Sequence, residues 1–275
     1  LSQIYLNWVP KEKVLHTNIW SSELAKLTAN AFLAQRISSV NSISSLCEIT
    51  GADINQVCKA VGMDSRIGHK FLNPGPGFGG SCFQKDILNL VYLCNFYNLE
   101  EVANYWQSVL DINNWQKARI SKIIVNYLFG NVSGKKITIL GFAFKANTND
   151  TRESPCIYIC KDLLEEGANL SIYDPKVESY KIEKDLLDKK NNMVDNSEYG
   201  TWEICSSIND AAFKSDAIVL LTEWQEFHNI DWNNLYKSMR KPCWIFDTRS
   251  CIDYKKAKKA GFNIWEIGNS TLANN

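Results

Sequence analysis

One cysteine, Cys82, has the surroundings of a reactive residue in the stretch Gly77-Phe-Gly-Gly-Ser-Cys-Phe-Gln-Lys-Asp86. Ser81 is followed three residues later by Gln84, which is typical of a capping box and predicts that Cys82 lies in the first turn of a helix. Free amides and the helix dipole favour a thiolate at such a position, and the glycines before it leave room for a substrate. The stretch therefore predicts a nucleophilic cysteine. The other cysteines lack such surroundings, and for them we favour the common state of a free cysteine, a buried structural thiol.

Charged and amide side chains at helical spacing could assist this cysteine. Lys85 and Asp86 follow Cys82 by three and four residues and so share its helix face, where a cation would favour the thiolate and a carboxylate could orient a water. Lys26 and Asn30 lie four residues apart in an earlier helical stretch and could donate hydrogen bonds to a developing oxyanion. A solvated lysine with a polar neighbour is the competing interpretation of that pair.

The composition of the chain restricts the classes of partner. Its 30 basic and 30 acidic residues cancel, so no attraction to nucleic acid or to an anionic membrane is expected. No apolar run approaches the roughly 20 residues that span a bilayer. The first residues carry no signal-peptide pattern. The 9 scattered cysteines and 3 histidines argue against a zinc site and a disulfide framework, so no metal is predicted and the expected location is the reducing cytoplasm.

Hydrophobic periodicity divides the chain into two regions, and we predict domains of residues 1–133 and 134–275. In the first region, apolar residues from Leu24 to Leu46 recur at the spacing of a long amphipathic helix. Further helices are predicted in this region at 54–60, 82–97 and 101–129. The Gly/Pro-rich segment 73–80 between them cannot be helical.

The second region alternates short apolar runs with helical patterns, which is typical of a parallel sheet covered by helices. Strands are predicted at 137–141, 170–173, 217–221, 244–246 and 263–266, and helices at 154–166, 231–239 and 254–260. The polar segment 177–201 is predicted to be a surface excursion, and the tail after Gly268 to be loose. The predicted fold class is α/β, with an all-helical central region followed by a Rossmann-like parallel-sheet domain.

The loop after the first predicted strand reads Gly141-Phe-Ala-Phe-Lys145, with one glycine where a dinucleotide fingerprint has three. Binding of a phosphate by backbone amides alone is therefore not expected, and Lys145 could supply the charge instead. Arg249 follows the predicted strand 244–246 and so belongs to the carboxyl edge of the sheet, where open α/β sheets bind ligands. The region is predicted to bind a nucleotide in a manner unlike that of the usual cofactor domain. A Rossmann-like domain retained only for packing is the competing interpretation.

Several long motifs in this order closely resemble the UDP-glucose/GDP-mannose dehydrogenase family, and within it the UDP-glucose 6-dehydrogenases. The resemblance covers nearly the whole chain, from about Trp8 to Gly268. It is carried by the stretches Trp20–Arg36, Gly77–Asp86, Gly141–Lys145, Asp150–Ser154 and Phe246–Arg249.

The resemblance implies a four-electron oxidation of UDP-glucose to UDP-glucuronate with two NAD. Cys82 would form a thiohemiacetal with the intermediate aldehyde and then a thioester, which water hydrolyses; covalent capture would keep the aldehyde from escaping. Lys26 and Asn30 would hold the charge on the substrate oxygen. Asp86 would position the water or shuttle protons.

The resemblance also implies the contacts that bind the substrate. Lys145 would contact the pyrophosphate and Arg249 the sugar, while Phe71 and Leu72 would line the substrate loop. Arg66 would reach a sugar bound in a neighbouring subunit, which requires a homo-oligomer of at least two copies.

The family's NAD-binding domain precedes the stretch that matches this chain, and this chain begins after it. NAD would therefore be bound mainly by a domain that this sequence lacks, with Arg152 on the cofactor side of the cleft. Little or no turnover is expected from this chain alone, since hydride transfer needs the acceptor held against the sugar. Two alternatives stay open: a dehydrogenase of GDP-mannose or another nucleotide sugar, and a non-catalytic protein that binds UDP-sugars or dimerises.

Overall fold

The computed structural model describes residues 1–187 and 199–270. The first part of the chain is helical, as predicted, and no strand precedes residue 136 in the described residues. Its helices are α1 (Ser2–Tyr5), α2 (Ile19–Thr50), α3 (Ile54–Gly62), α4 (Phe83–Phe96) and α5 (Glu100–Tyr127), with a short 3₁₀ turn at Lys11–Lys13.

Helix α2 is longer than its apolar pattern predicted because both of its ends are capped. The side chain of Asn18 accepts a hydrogen bond from the Ser21 amide at 2.8 Å, which satisfies one of the free donors of the first turn. Gly51 ends the helix in the left-handed conformation with φ of +82°. Between the caps, Ala31 and Ala34 are fully buried against α4 and α5, so small side chains bring the three helices close together.

The second part of the chain forms one six-stranded sheet in which all strand pairs are parallel, which confirms the predicted fold class. The strand order is β3-β2-β1-β4-β5-β6. The strands are β1 (Lys136–Leu140), β2 (Asn169–Tyr173), β3 (Trp202–Ile204), β4 (Ala217–Leu220), β5 (Trp244–Asp247) and β6 (Asn263–Glu266). The helices are α6 (Pro155–Glu165), α7 (Ser179–Leu186), α8 (Ile208–Ala212), α9 (Trp232–Ser238) and α10 (Tyr254–Ala260), with a 3₁₀ turn at Gln225–Asn229.

The central strands β1, β4 and β5 are buried almost along their whole length, as expected for a parallel sheet covered on both faces. This continuous burial is why their apolar runs could be recognised in the sequence. Strand β3 has three residues of intermediate or full exposure, and the sequence offered no apolar run to predict it.

The prediction that residues 177–201 form a surface excursion is wrong for its first part. Helix α7 buries Ile182 and Leu186 in the core of the sheet domain. Its other residues are mostly polar, so the two apolar residues did not indicate a buried helix face in the sequence. Residues 188–198 of that segment, and the end of the predicted loose tail after residue 270, lie outside the described residues.

The helical part contacts the carboxyl edge of the sheet just beyond β6. The Ile54 amide donates to the Gly268 carbonyl at 3.0 Å, and the Gly268 amide donates to the Glu48 carboxylate at 2.8 Å. Glu48 is also ion-paired with Arg119 of α5. This junction and the contact of α5 with α6 join the two parts of the chain. Gly75 of the segment 73–82 lies against the Arg249 guanidinium, at the edge where the strands end. Among residues 1–187 and 199–270, no helix combines the length and the hydropathy needed to span a membrane.

Candidate active site

Cys82 lies immediately before helix α4, at its N-cap position. The predicted capping box is wrong: no side chain caps this helix, and the Ser81 hydroxyl lies 3.7 Å from the Cys82 sulfur instead of bonding an amide. The helix therefore begins at Phe83, one residue later than predicted, because the backbone at residues 79–81 is held by other contacts. Cys82 is exposed, whereas Cys47, Cys94, Cys156, Cys160, Cys243 and Cys251 are buried.

Lys26, Asn30 and Asp86 meet in one cluster beside Cys82. The Lys26 ammonium donates to both carboxylate oxygens of Asp86 at 2.7 and 2.6 Å, and the Asn30 amide donates to the second of these oxygens. The Asp86 side chain is 7% exposed, whereas that of Lys26 is 62% exposed. Spacing of four along α2 thus presents two donors to one buried carboxylate of α4.

The cluster keeps both of its charges. Burial acts to raise the pKa of Asp86, but the hydrogen bonds from Lys26 and Asn30 outweigh it, so this pKa lies below its ordinary value. The hydrogen bond to Asp86 raises the pKa of Lys26 above its ordinary value. A carboxylate and an ammonium are therefore both present at neutral pH.

Arg152 approaches Cys82 from the sheet domain. Its guanidinium forms an ion pair with Asp150 at 2.7 Å, and that hydrogen bond, with a smaller effect from Cys82, raises the pKa of Arg152. The side chain is 68% exposed, and it lines a surface pocket together with Ser81 and Lys85. The stretch that carries Cys82 thus has Arg152 of the sheet domain as a neighbour.

The glycines before Cys82 are required by close backbone contacts. The Gly80 amide donates to the Arg152 carbonyl at 2.8 Å. A Cβ atom at Gly79 would lie 2.4 Å from the Glu153 carbonyl oxygen, so any larger residue would push the two segments apart. The turn at Arg152 and Glu153 therefore supports the backbone that leads to the cysteine.

Three buried amide side chains hold the rest of this segment, and sequence reasoning missed them. Asn113 of α5 accepts from the Phe78 amide at 2.8 Å and donates to the Phe78 carbonyl at 3.2 Å. Gln116 donates to the Gly75 carbonyl at 2.8 Å, and Asn41 accepts from the Gly75 amide at 2.9 Å. Their signal in the sequence is a polar residue on the apolar face of a helix.

A cavity of about 510 Å³ opens beside this segment, between the helical part and the sheet. It brings together Phe71, Lys145 and Arg249, three of the predicted substrate-binding residues. Phe71 has a left-handed backbone with φ of +60° and a side chain that is 42% exposed. The cavity thus combines an aromatic wall with two cations.

Arg249 is held firmly at the wall of the cavity. Its guanidinium Nε donates to the Leu221 carbonyl at 2.8 Å and lies 3.1 Å from a carboxylate oxygen of Glu223. Glu223 also lines the cavity and was not predicted, although its place just after β4 puts it on the carboxyl edge. Lys145 is exposed, with its ammonium 5.4 Å from the centroid of the Phe144 ring.

Leu72 and Arg66 do not line this cavity. Leu72 is 8% exposed and packs with Val40 and Ile54 in the helical core, because the chain direction that turns Phe71 outward turns its neighbour inward. Arg66 lies on the surface after α3, with its guanidinium forked onto Asp64 at 2.5 Å. Within this single chain it contacts none of the other predicted site residues.

The loop after β1 does not provide a dinucleotide site. The Phe142 and Ala143 amides, which would face a phosphate in a Rossmann cofactor domain, donate to the Asp174 carboxylate at 2.7 and 3.1 Å. The indole of Trp224 donates to the same oxygen at 3.1 Å. An anionic phosphate does not fit beside this carboxylate. No cluster of His, Cys, Asp or Glu suited to a metal ion occurs among the described residues.

Two family models match the chain. The model of the UDP-glucose/GDP-mannose dehydrogenase family, central domain, matches residues 20–115. The model of the same family's UDP binding domain matches residues 138–254. The first match contains the cysteine cluster and the second contains Lys145 and Arg249.

The chain is also similar to curated proteins along nearly all of its length. It is 54% identical to UDP-glucose 6-dehydrogenase of Drosophila melanogaster over 268 residues, with 98% of this chain and 56% of that protein covered. It is 53% identical to UDP-glucose 6-dehydrogenase of Mus musculus, with 98% and 55% covered. The chain thus spans about half the length of the curated relatives that it matches.

Solved structures of similar proteins share the fold. A UDP-glucose dehydrogenase from the archaeon Pyrobaculum islandicum matches with a TM-score of 0.70 at 28% identity, over 89% of this chain and 50% of that one. A UDP-D-ManNAc dehydrogenase from Pyrococcus horikoshii matches with a TM-score of 0.79 at 25% identity, over 98% and 56%.

Proposed function

The chain belongs to the UDP-glucose/GDP-mannose dehydrogenase family, and we propose that it forms the cysteine-bearing and UDP-sugar-binding part of an NAD-dependent UDP-glucose 6-dehydrogenase. The observation that carries this proposal is the cluster of Lys26, Asn30 and Asp86 beside an exposed Cys82. The identity of 48–54% to curated UDP-glucose 6-dehydrogenases supports the choice of UDP-glucose as substrate.

The proposed reaction is a double oxidation at C6 of the sugar. The alcohol loses a hydride and a proton to become an aldehyde, and the Cys82 sulfur adds to its carbon to form a thiohemiacetal. Loss of a second hydride and of the hydroxyl proton gives a thioester. Water then adds, the carbon–sulfur bond breaks with its electron pair returning to sulfur, and the carboxylate is released. Two NAD molecules, bound one after the other, would each accept one of the two hydrides.

The cluster beside Cys82 is suited to the charges and protons of these steps. Each addition to the carbonyl carbon places negative charge on the substrate oxygen, and the Lys26 ammonium and Asn30 amide are donors that could turn from Asp86 to that oxygen. Asp86 stays ionised, so it can accept a proton from the attacking water.

The cavity beside the glycine-rich segment is the proposed substrate site. Lys145 contacts the pyrophosphate, Arg249 the sugar, and Phe71 lines the wall. Leu72 does not contact the substrate; its buried side chain anchors the loop that carries Phe71 to the helical core. Arg66 faces away in one chain, which is consistent with a role toward a neighbouring subunit.

The cofactor is proposed to be held mainly outside this chain. The occupied amides of the β1 loop support this, since Phe142 and Ala143 donate to Asp174 and are not free to bind a cofactor phosphate. Arg152 is the proposed contact from this chain to the cofactor side. We further propose a division at residues 133 and 134 into a helical dimerisation domain and a UDP-sugar domain, a homo-oligomeric assembly of at least two copies, and a cytoplasmic location.

Ligand-dependent stability tests this proposal. A ligand that binds only the folded chain raises the melting temperature by mass action. We expect UDP-glucose to raise the melting temperature of this chain by several degrees and GDP-mannose to raise it less. A larger shift with GDP-mannose would show that the substrate is a nucleotide sugar other than UDP-glucose. The absence of a shift with any nucleotide sugar would contradict the proposed substrate site.

A further inference from the structure

Lys117 of α5 is a buried lysine without a hydrogen-bond partner. The residue is 3% exposed, and its ammonium nitrogen makes no hydrogen bond in the structure. It lies 3.8 Å from the centroid of the Tyr158 ring, on α6. An apolar side chain of the same length would fill this space without the cost of burying an unpaired charge, so the charge itself requires an explanation.

The ring above Lys117 belongs to a small network. The Tyr158 hydroxyl donates to the Glu153 carboxylate at 2.7 Å. Burial, together with this carboxylate, raises the pKa of Tyr158 to about 12, so the phenol stays protonated and remains a donor. Of the charged groups in the described residues, Glu153 is the one whose field opposes the loss of the Lys117 proton. Arg119, the next cation along α5, is paired with Glu48.

The network connects directly to the backbone before Cys82. Glu153 has a left-handed backbone with φ of +52°, and its carbonyl oxygen packs against Gly79. The preceding carbonyl, of Arg152, accepts from the Gly80 amide at 2.8 Å. On the other side, the Lys117 side chain itself packs against Gly77, where an added Cβ would lie 3.3 Å from its Cγ.

We propose that Lys117, Tyr158 and Glu153 form a positioning network that holds the Arg152–Glu153 turn against Gly79 and Gly80 and thereby sets the reactivity of the Cys82 thiol. Lys117 is a positioning residue in this network, since it contacts the supporting segments and not the sulfur. The Lys117 ammonium makes a cation–π contact with the Tyr158 ring. The Tyr158 hydroxyl in turn fixes the carboxylate of Glu153, whose backbone is strained. The inference rests on the proposed function in one respect, namely that Cys82 is the nucleophile.

The test measures the rate of Cys82 alkylation by iodoacetamide, with the modified residue located by peptide mass spectrometry. Lys117→Met removes the charge at similar length, Tyr158→Phe removes the hydrogen bond to Glu153, and Lys117→Arg retains the charge. Lys122→Met on the exposed side of α5 is the matched control. The melting temperature of each variant is measured alongside, so that reactivity and stability are compared in the same samples.

We expect Lys117→Met and Tyr158→Phe each to change the alkylation rate by about threefold or more, with non-additive effects in the double variant. Lys117→Arg should restore the rate, and Lys122→Met should leave it unchanged. A purely structural role would move the melting temperature without moving the Cys82 rate in folded protein, and that result would overturn the inference.

A failure of the proposed function has a different outcome. If Cys82 of the unmodified chain reacts no faster than the same cysteine in urea, Cys82 is not an activated nucleophile, whatever the variants do. A reactive Cys82 that is insensitive to Lys117 and Tyr158 leaves the proposed function intact and removes only the network. Tyr158→Phe changes one atom, so it keeps the test decisive if Lys117→Met does not fold.

Discussion

The Lys26 ammonium lies 2.6 Å from a carboxylate oxygen of Asp86, although the two residues are 60 positions apart in the chain. The contact joins α2 to the start of α4, and Asn30 completes it with a second donor. The same pairing that keeps Asp86 ionised also keeps the donors of α2 aimed at the region of the cysteine.

Replacement of Asp86 by Asn should change how stability depends on acid. The folded-state pKa of Asp86 lies below its ordinary value of 3.8, so the ionised group stabilises the fold above that pH, and this contribution is lost as pH falls through the folded-state pKa. Asp86→Asn should therefore lower the unfolding free energy near neutral pH by about 1 to 3 kcal/mol. It should also flatten the loss of stability below about pH 4. Urea denaturation at several pH values measures both effects, and an equal loss at all pH values would contradict the charged role.

Replacement of Lys117 by Met should stabilise the chain near neutral pH. Burial lowers the pKa of Lys117 to about 8 from 10.5. Between these values the folded protein has released a proton that the unfolded chain retains, so stability rises with pH over this window and the full cost is present below about pH 8. The variant should thus gain up to about 3 kcal/mol at pH 7, and the gain should shrink as pH approaches 10.5. A variant that is less stable at pH 7 would mean that the contact with Tyr158 outweighs burial of the charge.

In the parent chain, Glu266 should lower stability as pH rises from mildly acid to neutral values. Replacement by Gln should abolish this pH dependence. Burial, with the nearby charges of Asp247 and Asp53, raises the pKa of Glu266 to about 7 from 4.5. Between these values the folded state holds a proton that the unfolded chain releases, so stability falls as pH rises through this window. Glu266→Gln should be more stable than the parent at pH 8 by up to about 3 kcal/mol and similar to it near pH 4. The exposed Glu165→Gln is the control, and denaturation curves at both pH values supply the comparison.

Replacement of Lys145 by Met should remove most of the thermal shift caused by UDP-glucose. The side chain is exposed and points to the cavity wall, so its loss should leave the melting temperature of the free chain nearly unchanged. A charged contact to a phosphate contributes roughly 1.5 to 3 kcal/mol, which corresponds to a loss of about tenfold or more in affinity. Calorimetric titration measures the affinity, with Lys122→Met as the matched control. An unchanged affinity would place the pyrophosphate elsewhere.

Replacement of Gly79 by Ala should destabilise the chain through a steric conflict. The new Cβ would lie 2.4 Å from the Glu153 carbonyl oxygen, a backbone atom that cannot rotate away. We expect a loss of at least about 2 kcal/mol in unfolding free energy and a changed rate of Cys82 alkylation. Gly134→Ala is the comparison, because nothing lies within 4 Å of its Cβ position and only its left-handed backbone opposes alanine. Equal losses of unfolding free energy in the two variants would mean that the Glu153 backbone can shift to make room for the new Cβ at little cost.

Much of the fold was predictable because its elements carry strong patterns. Helix α5 buries apolar residues over many turns, and β1 and β4 are short apolar runs buried on both faces. Helix α2 was predicted as a helix, but Leu24, Ile43 and Leu46 of its apolar pattern are exposed. The pattern failed where an element is short or mostly polar, as in β3 and α7. The capping box at Ser81 failed for a different reason, since long-range contacts of the glycine segment override a local signal.

The candidate site was predictable in part. Helical spacing put Lys26 and Asn30 on one face, but only the packing of α2 on α4 joins them to Asp86. Leu72 was expected beside Phe71 at the substrate, and its inward side chain depends on the direction of a loop, which a motif does not specify. The burial of Lys117 could not be predicted from the sequence, because it depends on how the helices pack in the assembled fold.

The carboxylate of Asp174 gives the loop after β1 a built-in competitor. It is tethered next to the Phe142 and Ala143 amides, so its effective concentration there is on the order of millimolar or more, and a free diphosphate would have to displace it. Displacement of the Asp174 carboxylate would also leave the Trp224 indole N–H without its hydrogen-bond acceptor. Under the proposed function, a nucleotide would therefore bind to the Lys145 ammonium and the Arg249 guanidinium at the same edge of the sheet, and not to these amides.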